Sequence, residues 1–400
     1  MDTIEKVSKI RGLNLGSWLL MEGYILGGRN IAESLFKDEF KKTLGVKQLK
    51  DFERLFRNHF INEDDFKTIS CIGANTLRIP FNHRLLEKKP FSYSQEGFAY
   101  LDRAFDWAEK YNLGIILDLH AAAGAQNCDW HSDSSGKAML FKSKILQKRT
   151  ICLWQVIADR YKDKKGLIGY DFLNEPVLGS ISTKVLKGFY SRLLKAVRSI
   201  DKESLIFLEG DVWAQKIDFL ADLIQRNVAV SIHAYQPLSY VFNFTPFLRF
   251  PAKIENYCWN SEGVKRYLRP YYEFSKKNKV GIYVGEFGIN WRGGFWGEDM
   301  WLQAMLKAFI DYRFGFTYWT YKAIAQYNFP DGLYQFIEDS RYINRAGPVI
   351  GWQTYPKYWK KDKEKIVDFW KTVNYTPNSK LLAILRRYWK NDHTGASNQE

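Results

Sequence analysis

The sequence predicts an α/β fold, a single (β/α)8 TIM barrel with elaborated βα loops over residues 1–400. Three observations lead there. Short apolar runs of β type recur along the chain, most followed by a longer stretch with helical spacing. No Pro/Ser/Gly-rich linker divides the chain, so one large unit is expected. The first run leads into Ser17-Trp18, not into the glycine-rich phosphate loop of an open doubly wound sheet.

The β runs are KIRGLNLG (9–16), ANTLRIPF (74–81), LGIILDLH (113–120), LIGYDFLN (167–174), SLIFLEG (204–210), AVSIHAY (229–235), GIYVGEFG (281–288) and FTYWTYK (316–322). Strands covered on both sides read as near-continuous apolar runs, and most of these do. Between them, GFAYLDRAFDWAEKY sets Phe98, Leu101, Phe105 and Ala108 on one helical face. VLKGFYSRLLKAVRSI does the same with Val185, Phe189, Leu193 and Val197. After the eighth run, AIAQYNFPDGLYQFIEDSRYINRAGPVIGW reads as an extended eighth βα loop and KLLAILRRYW as a closing helix. Residues 323–400 therefore belong to the barrel, with no second domain.

Composition narrows the class. With 46% hydrophobic and 26% charged residues the chain is globular, which excludes disordered and fibrous types. The net charge is +15, yet the basic residues are dispersed among acids, as in KKPFSYSQEG, RYKDKKG and KYWKKDKEK. The last reads as a solvated helix face, and no nucleic-acid motif accompanies it, so no nucleic-acid partner is expected. Aromatics reach 16%, either to fill a large core or to stack on the C–H faces of sugar rings. The four cysteines lie far apart and are expected to be reduced, with Cys71 buried. GLNLGSWLLMEGYILGG is the most membrane-like stretch, but it is short and broken by Glu22, so no membrane insertion is expected. The start MDTIEKVSKI has neither a basic nor an apolar leader region. The expectation is a cytoplasmic monomer if the chain is complete, and a secreted one if it is already processed.

In such a barrel the chemistry sits at the C-terminal ends of the strands. The second run reads to Arg78, the third to His120 and the fourth to Asn174-Glu175, stopped by Pro176. The sixth reads to His233 and Tyr235, the seventh to Glu286, and the eighth carries Trp319. Any one of these is an ordinary polar strand end; together they would be costly without a shared purpose. Two glutamates from strands four and seven face each other across the barrel mouth, and paired carboxylates flanking a bond are what glycoside cleavage requires. By residue type, Arg78 and Tyr235 suit an ionised Glu286, and Glu175 is expected to gain its proton from a drier, like-charged setting. Asn174 is a candidate for a sugar 2-hydroxyl, and Trp319 for the floor beneath the ring.

RIPF, ILDLH, FLNEP, HAY, GEFG and YWTYK, in that order across residues 10–325, resemble glycoside hydrolase family 5, whose members are retaining β-glycosidases. The resemblance implies Glu175 as acid/base and Glu286 as nucleophile, with Arg78, His120, Asn174, His233, Tyr235 and Trp319 completing the site. RGLNLGSWLLMEGYI is similar to the N-terminal segment of the family's exo-β-1,3-glucanases, which implies that Glu22 contacts a terminal glucose. LHAAAGAQN resembles their third βα loop, whereas CDWHSDSSGKAMLF departs from it. The implied activity is hydrolysis of a β-glucan or β-glucoside through a covalent glycosyl-enzyme, with no cofactor. Mannan, xylan-like and glycolipid substrates, and transglycosylation, stay open. A sugar-binding protein without catalysis would have lost a carboxylate, and both are present.

His120, Cys128, Asp129, His131 and Asp133 crowd one loop, but their spacing matches no common zinc pattern, and no metal is expected. Asp129, Trp130 and His131 are read as lining the sugar site or bracing the loop. The segment 236–260 is either a lid on the rim or a wall of subsites built from Tyr240, Phe244, Phe247 or Trp259. Trp291 and Trp296, in glycine-rich surroundings, are further subsite candidates.

Overall fold

Eight parallel strands close into a barrel in the computed structural model, which describes residues 2–336 and 351–390. The strands are β1 (Arg11–Asn14), β2 (Thr76–Asn82), β3 (Gly114–Ala121), β4 (Leu167–Asp171), β5 (Leu205–Glu209), β6 (Val228–His233), β7 (Ile282–Phe287) and β8 (Gly315–Tyr318). Each pairs with the next, and β8 closes on β1. Outside them lie α1 (Thr3–Ser8), α2 (Glu33–Leu44), α3 (Val46–His59), α4 (Glu63–Ile72), α5 (Gln95–Lys110), α6 (Lys144–Tyr161), α7 (Thr183–Arg198), α8 (Ser261–Asn278), α9 (Glu298–Asp311), α10 (Tyr355–Phe369) and α11 (Ser379–Trp389). The crossover from β5 to β6 holds 3-10 turns at Asp218–Leu223 in place of a long helix.

Local chemistry sets these elements. Asn62 starts α4 by accepting the Asp64 and Asp65 N–H groups while the Asp65 carboxylate accepts the Asn62 N–H. Gly73, at φ +100, stops it in a conformation that glycine tolerates. The buried stripe of α4 runs through Phe66, Ile69 and Ile72, which puts Cys71 outside it. Cys71 is exposed, contrary to the expectation that it is buried. The apolar face of α5 is buried as patterned, and so are Phe189, Leu193 and Val197 of α7.

The barrel interior has two storeys, because alternate residues along each strand face inward. The lower one is apolar: Ile10, Ile116, Leu205, Phe207, Ala229 and Tyr283, plugged from below by Val7 of α1. The upper one is polar and carries Asn14, Arg78, Asp118, Asp171, Glu209 and Ser231. Strand limits differ from expectation where they matter. β2 runs on to Asn82, pairing with β3 as far as Ala121, so Arg78 sits mid-barrel instead of at the rim. β4 stops at Asp171, leaving Asn174 and Glu175 in the loop above it.

Much of the aromatic content binds the C-terminal segment to the insertion after β1. Trp352 meets Phe36 at 4.4 Å between ring centres, Trp359 meets Phe52 at 5.2 Å, and Trp370 meets Phe56 at 5.0 Å. Along α10, Lys357, Lys360, Lys361 and Lys365 face solvent while Trp359 points in. Part of the expected eighth βα loop, residues 337–350, lies outside the described residues. Its start forms a small sheet in which Lys322–Ile324 pairs with Tyr334–Phe336, and that strand with Thr376–Pro377. Lys322 is buried there. Its ammonium donates to the Phe60 carbonyl, the Trp370 carbonyl (2.8 Å) and Thr372 Oγ1 (2.9 Å), tying three segments together. Lys322→Met would leave those acceptors unsatisfied and is expected to destabilise the fold by about 2–4 kcal/mol. Urea denaturation checks this, and an unchanged midpoint contradicts it. No helix among the described residues is long and apolar enough to cross a membrane.

Candidate active site

Arg78 organises the upper storey. Fully buried, it donates from Nη1 to Glu286 Oε1 (2.8 Å) and Asn14 Oδ1 (3.1 Å), and from Nε to Asp171 Oδ2 (2.9 Å). Its Nη2 donates to Asn174 Oδ1 (2.9 Å) and Glu209 Oε1 (3.3 Å) and lies 3.1 Å from Asp118 Oδ2. A planar guanidinium fork serves this many acceptors where a lysine would not. Four carboxyl groups around one cation cannot all be charged in a dry interior. Burial lifts Asp118 to about 8 and Asp171 well above its ordinary value, and the two are register neighbours on β3 and β4. Burial thus favours the neutral form of both.

Glu286 is 5% exposed and emerges where β7 bulges between Val284 and Glu286. Gly285 makes that bulge sterically feasible, since a Cβ there would lie 2.8 Å from Ser231 Oγ. The Tyr235 hydroxyl donates to Glu286 Oε2 at 2.9 Å. With Arg78 on the other oxygen, two donors serve this carboxylate, as an anion accepts them.

Glu175 stands opposite at φ +48. His233 Nδ1 lies 2.7 Å from its Oε1, and His131 Nε2 lies 3.1 Å from its Oε2. Burial pushes the Glu175 carboxyl up, but hydrogen bonds from the two imidazoles outweigh it and hold the group well below the usual carboxylate range. The expectation of a like-charged setting that protonates Glu175 is thus corrected: the setting is dry, but its neighbours are cationic. His131 is raised to about 9 against the effect of burial, chiefly by Glu175. His233 is raised well above its ordinary value, with Glu209 and Glu286 outweighing burial. One carboxylate oxygen of Glu175, one of Glu286 and a ring nitrogen of His233 all lie within 4.8 Å of one another.

Above this group opens a cavity of about 240 Å³. Trp319 lies at its base, stacked on His120 at 5.5 Å and donating from Nε1 to the Tyr24 hydroxyl. Burial brings His120 down to about 3, so the ring is neutral, with Nδ1 2.7 Å from Asp118 Oδ2. Glu22, 3% exposed, lines the wall; burial lifts it to about 8, and its Oε1 has no protein partner. Trp130, Phe244, Phe242 and Phe329 form an aromatic wall in edge contact, and Trp213 is held by Asp129 Oδ2 at 2.8 Å. The arrangement offers two facing carboxylates, a store of protons beside one of them, and an apolar base.

The family model Cellulase (glycosyl hydrolase family 5) matches residues 37–324. The chain belongs to glycosyl hydrolase family 5. It is 31% identical over 335 residues to a β-xylosidase of Phanerodontia chrysosporium, covering 79% of this chain and 67% of the relative. It is 27% identical over 310 residues to Endoglucanase C of Acetivibrio thermocellus, covering 69% of this chain and 88% of the relative. To a probable glucan 1,3-β-glucosidase A of Emericella nidulans it is 32% identical over 244 residues, covering 57% of each. The solved endoglucanase Cel5A of Thermotoga maritima shares the fold, with a TM-score of 0.64 at 20% identity over 96% of this chain and 100% of that one.

In this family 5 glycoside hydrolase, Glu22, His120, Asp129, Trp130, His131, Glu175, His233, Tyr235, Glu286 and Trp319 all line one cavity. Arg78 and Asn174 lie one layer below, the Asn174 amide engaged by Arg78 (2.9 Å) and set 3.3 Å from His120 Nε2. Trp291 and Trp296 do not reach the cavity. The Glu298 carboxylate accepts the N–H groups of Arg292 (2.7 Å) and Trp296 (2.8 Å), folding that loop back onto the start of α9, and Arg249 covers the Trp296 ring. The 236–260 segment divides: Tyr240 and Trp259 are core, Phe244 reaches the cavity, and Phe247 is 77% exposed. The ligand-type loop residues go separate ways, Asp133 to Ser34 and Asn82, and Cys128 to solvent. Missed by sequence reasoning were Asn14, Asp118, Asp171 and Glu209. Their signal was a lone polar residue inside or ending an apolar barrel run. Tyr24, Trp213 and Phe329 carried no such signal.

Proposed function

We propose that this glycoside hydrolase cleaves β-glucosidic bonds of a β-glucan or β-glucoside with retention, by double displacement. The observation that carries the reading is the approach of Glu175 and Glu286 oxygens to within 4.8 Å. Retaining enzymes hold their carboxyls about 5–5.5 Å apart, and inverting ones leave room for a water at about 6.5–9.5 Å. Glu286, served by Arg78 and Tyr235, attacks the anomeric carbon as the bond to the leaving oxygen breaks. Glu175, ionised at rest, relays a proton from the adjacent imidazolium of His131 or His233 to that oxygen and is left as the carboxylate. In the second step Glu175 takes a proton from water, which displaces Glu286 from the sugar. Trp319, at the base of the cavity, stacks beneath the ring.

Glu22 serves this reading as a neutral donor to a sugar hydroxyl, because its carboxyl titrates near 8. Below that pH it is protonated; above it the anion loses the donor. Glycone affinity is therefore expected to weaken as pH rises through 8 in the native enzyme. In Glu22→Gln, which keeps a donor at every pH, affinity should stay flat. Titration calorimetry with a glucose-derived inhibitor at pH 6–9 checks this, and parallel pH profiles in the two proteins contradict it.

A β-xyloside is a second reading, favoured by the similarity to the Phanerodontia chrysosporium β-xylosidase over 79% of the chain. Defined β-gluco-, β-xylo- and β-manno-oligosaccharides, with hydrolysis and transfer products resolved by length, decide between the two. Preferred release of xylose would overturn the glucoside reading.

A further inference from the structure

We infer that Glu209, the last residue of β5, is a positioning residue that braces Glu175 and fixes the charge beside it, an inference resting on the acid/base reading of Glu175. Glu209 is fully buried and does not line the cavity, a place where a carboxylate persists only if well paired. Its two oxygens face different parts of the machinery. Oε2 accepts the backbone N–H of Glu175 at 2.6 Å. Glu175 is a non-glycine residue at φ +48, a conformation that L side chains rarely adopt, and this bond helps hold the peptide from which the acid/base side chain projects. Oε1 lies 3.1 Å from His233 Nε2, an ion pair without hydrogen-bond alignment, and His233 Nδ1 contacts Glu175 Oε1. Glu209 thus holds Glu175 twice, at its backbone and through its imidazole partner.

The same Oε1 accepts from Arg78 Nη2, and Arg78 Nη1 donates to Glu286. One buried anion therefore connects both glutamates. The titratable and charged groups around it are Arg78 on β2, Asp118 on β3, Asp171 on β4, Glu175 above β4, Tyr190 on α7, His233 on β6 and Glu286 on β7. Burial favours the neutral forms of Asp118 and Asp171, whereas His233 and Arg78 hold Glu209 below its ordinary value, so Glu209, 3.1 Å from His233 Nε2, supplies a negative charge to the far side of that ring. Deleting that charge makes the His233–Glu175 pair release its proton at lower pH.

The test is Glu209→Gln, which keeps the size and an acceptor oxygen but removes the charge. kcat/KM is followed against pH for an alkyl β-glucoside, which needs an acid, and for an activated aryl β-glucoside, which does not. The alkaline limb for the alkyl substrate is expected to move down by about one to three pH units. At the optimum its rate should fall on the order of tenfold to a hundredfold, while the aryl substrate loses less than about threefold. Glu209→Asp keeps the charge and withdraws the carboxylate by one methylene; it should slow the alkyl substrate with the limb left in place. A wild-type profile in Glu209→Gln, or equal loss on both substrates with an unmoved limb, overturns the inference. If the Gln variant does not fold, wild-type alkyl rates in Glu209→Asp overturn it. Glu175→Ala run alongside separates the two readings: equal loss there on both substrates sinks the acid/base assignment itself. Selective loss there with none in Glu209→Gln sinks only the role of Glu209.

Discussion

Glu286→Ala is expected to lower kcat on a β-glucoside by on the order of 10⁵ while leaving glycan binding within a few-fold of wild type. In the proposed mechanism the side chain that is lost forms the covalent bond, and the other carboxylates lining the cavity are placed differently: Glu175 faces the leaving oxygen, Asp129 is held by Trp213, and burial favours the neutral form of Glu22. Binding is expected to survive because Glu22, His120 and Trp319, the proposed glycone contacts, still line the cavity. The vacated space sits between the Arg78 guanidinium and the Tyr235 hydroxyl, which formerly served the carboxylate. A small anion such as azide should occupy it and attack the anomeric carbon directly, giving an α-glucosyl product. Steady-state rates and calorimetry with a gluco-oligosaccharide read both parts. Normal turnover in this variant would refute the nucleophile assignment.

Glu175→Ala should behave differently. On substrates with poor leaving groups the first step loses its proton donor, and kcat/KM is expected to fall by about 10²–10⁴. An activated aryl glucoside departs without protonation, so its first step is largely spared. The second step then slows for lack of a base, and the glycosyl-enzyme accumulates as a burst of aryl alcohol. Azide in place of water should restore turnover and give a β-glucosyl product, since it needs no base. Equal loss on both substrate types, with no burst, would remove Glu175 from the acid/base role. His131 pairs with Glu175 alone of the proposed catalytic pair, and His233 Nδ1 is closer to Glu175 (2.7 Å) than to Glu286 (3.5 Å), so the two variants should also differ in pH dependence.

The groups at the barrel mouth were legible in the sequence because each ends or follows an apolar strand run, where a polar side chain has no structural reason to be. The acidic pair, His120, His233 and Tyr235 were found that way. Their protonation was not, because part of the charge near Glu175 comes from His131, a loop residue whose position depends on how 121–139 folds over the rim. The buried layer under the site was also missed. Asp118 and Asp171 sit inside strands and Glu209 ends one, but they point at Arg78, and only the register of β2 through β5 brings them to it. The tryptophans at 291 and 296 failed for the opposite reason. Glycine-rich surroundings suggested an open platform, while a single carboxylate, Glu298, folds that loop back on itself. Local pattern finds where polar groups leave a strand; it does not find which way a loop returns.

The central claim is that Glu175 and Glu286 act in succession on one anomeric carbon. Proton NMR of the first product released from a defined β-linked gluco-oligosaccharide, recorded before mutarotation, tests it most directly. The account predicts that the β-anomer appears first and the α-anomer only later, by equilibration. Initial release of the α-anomer would mean a single displacement by water and would contradict it.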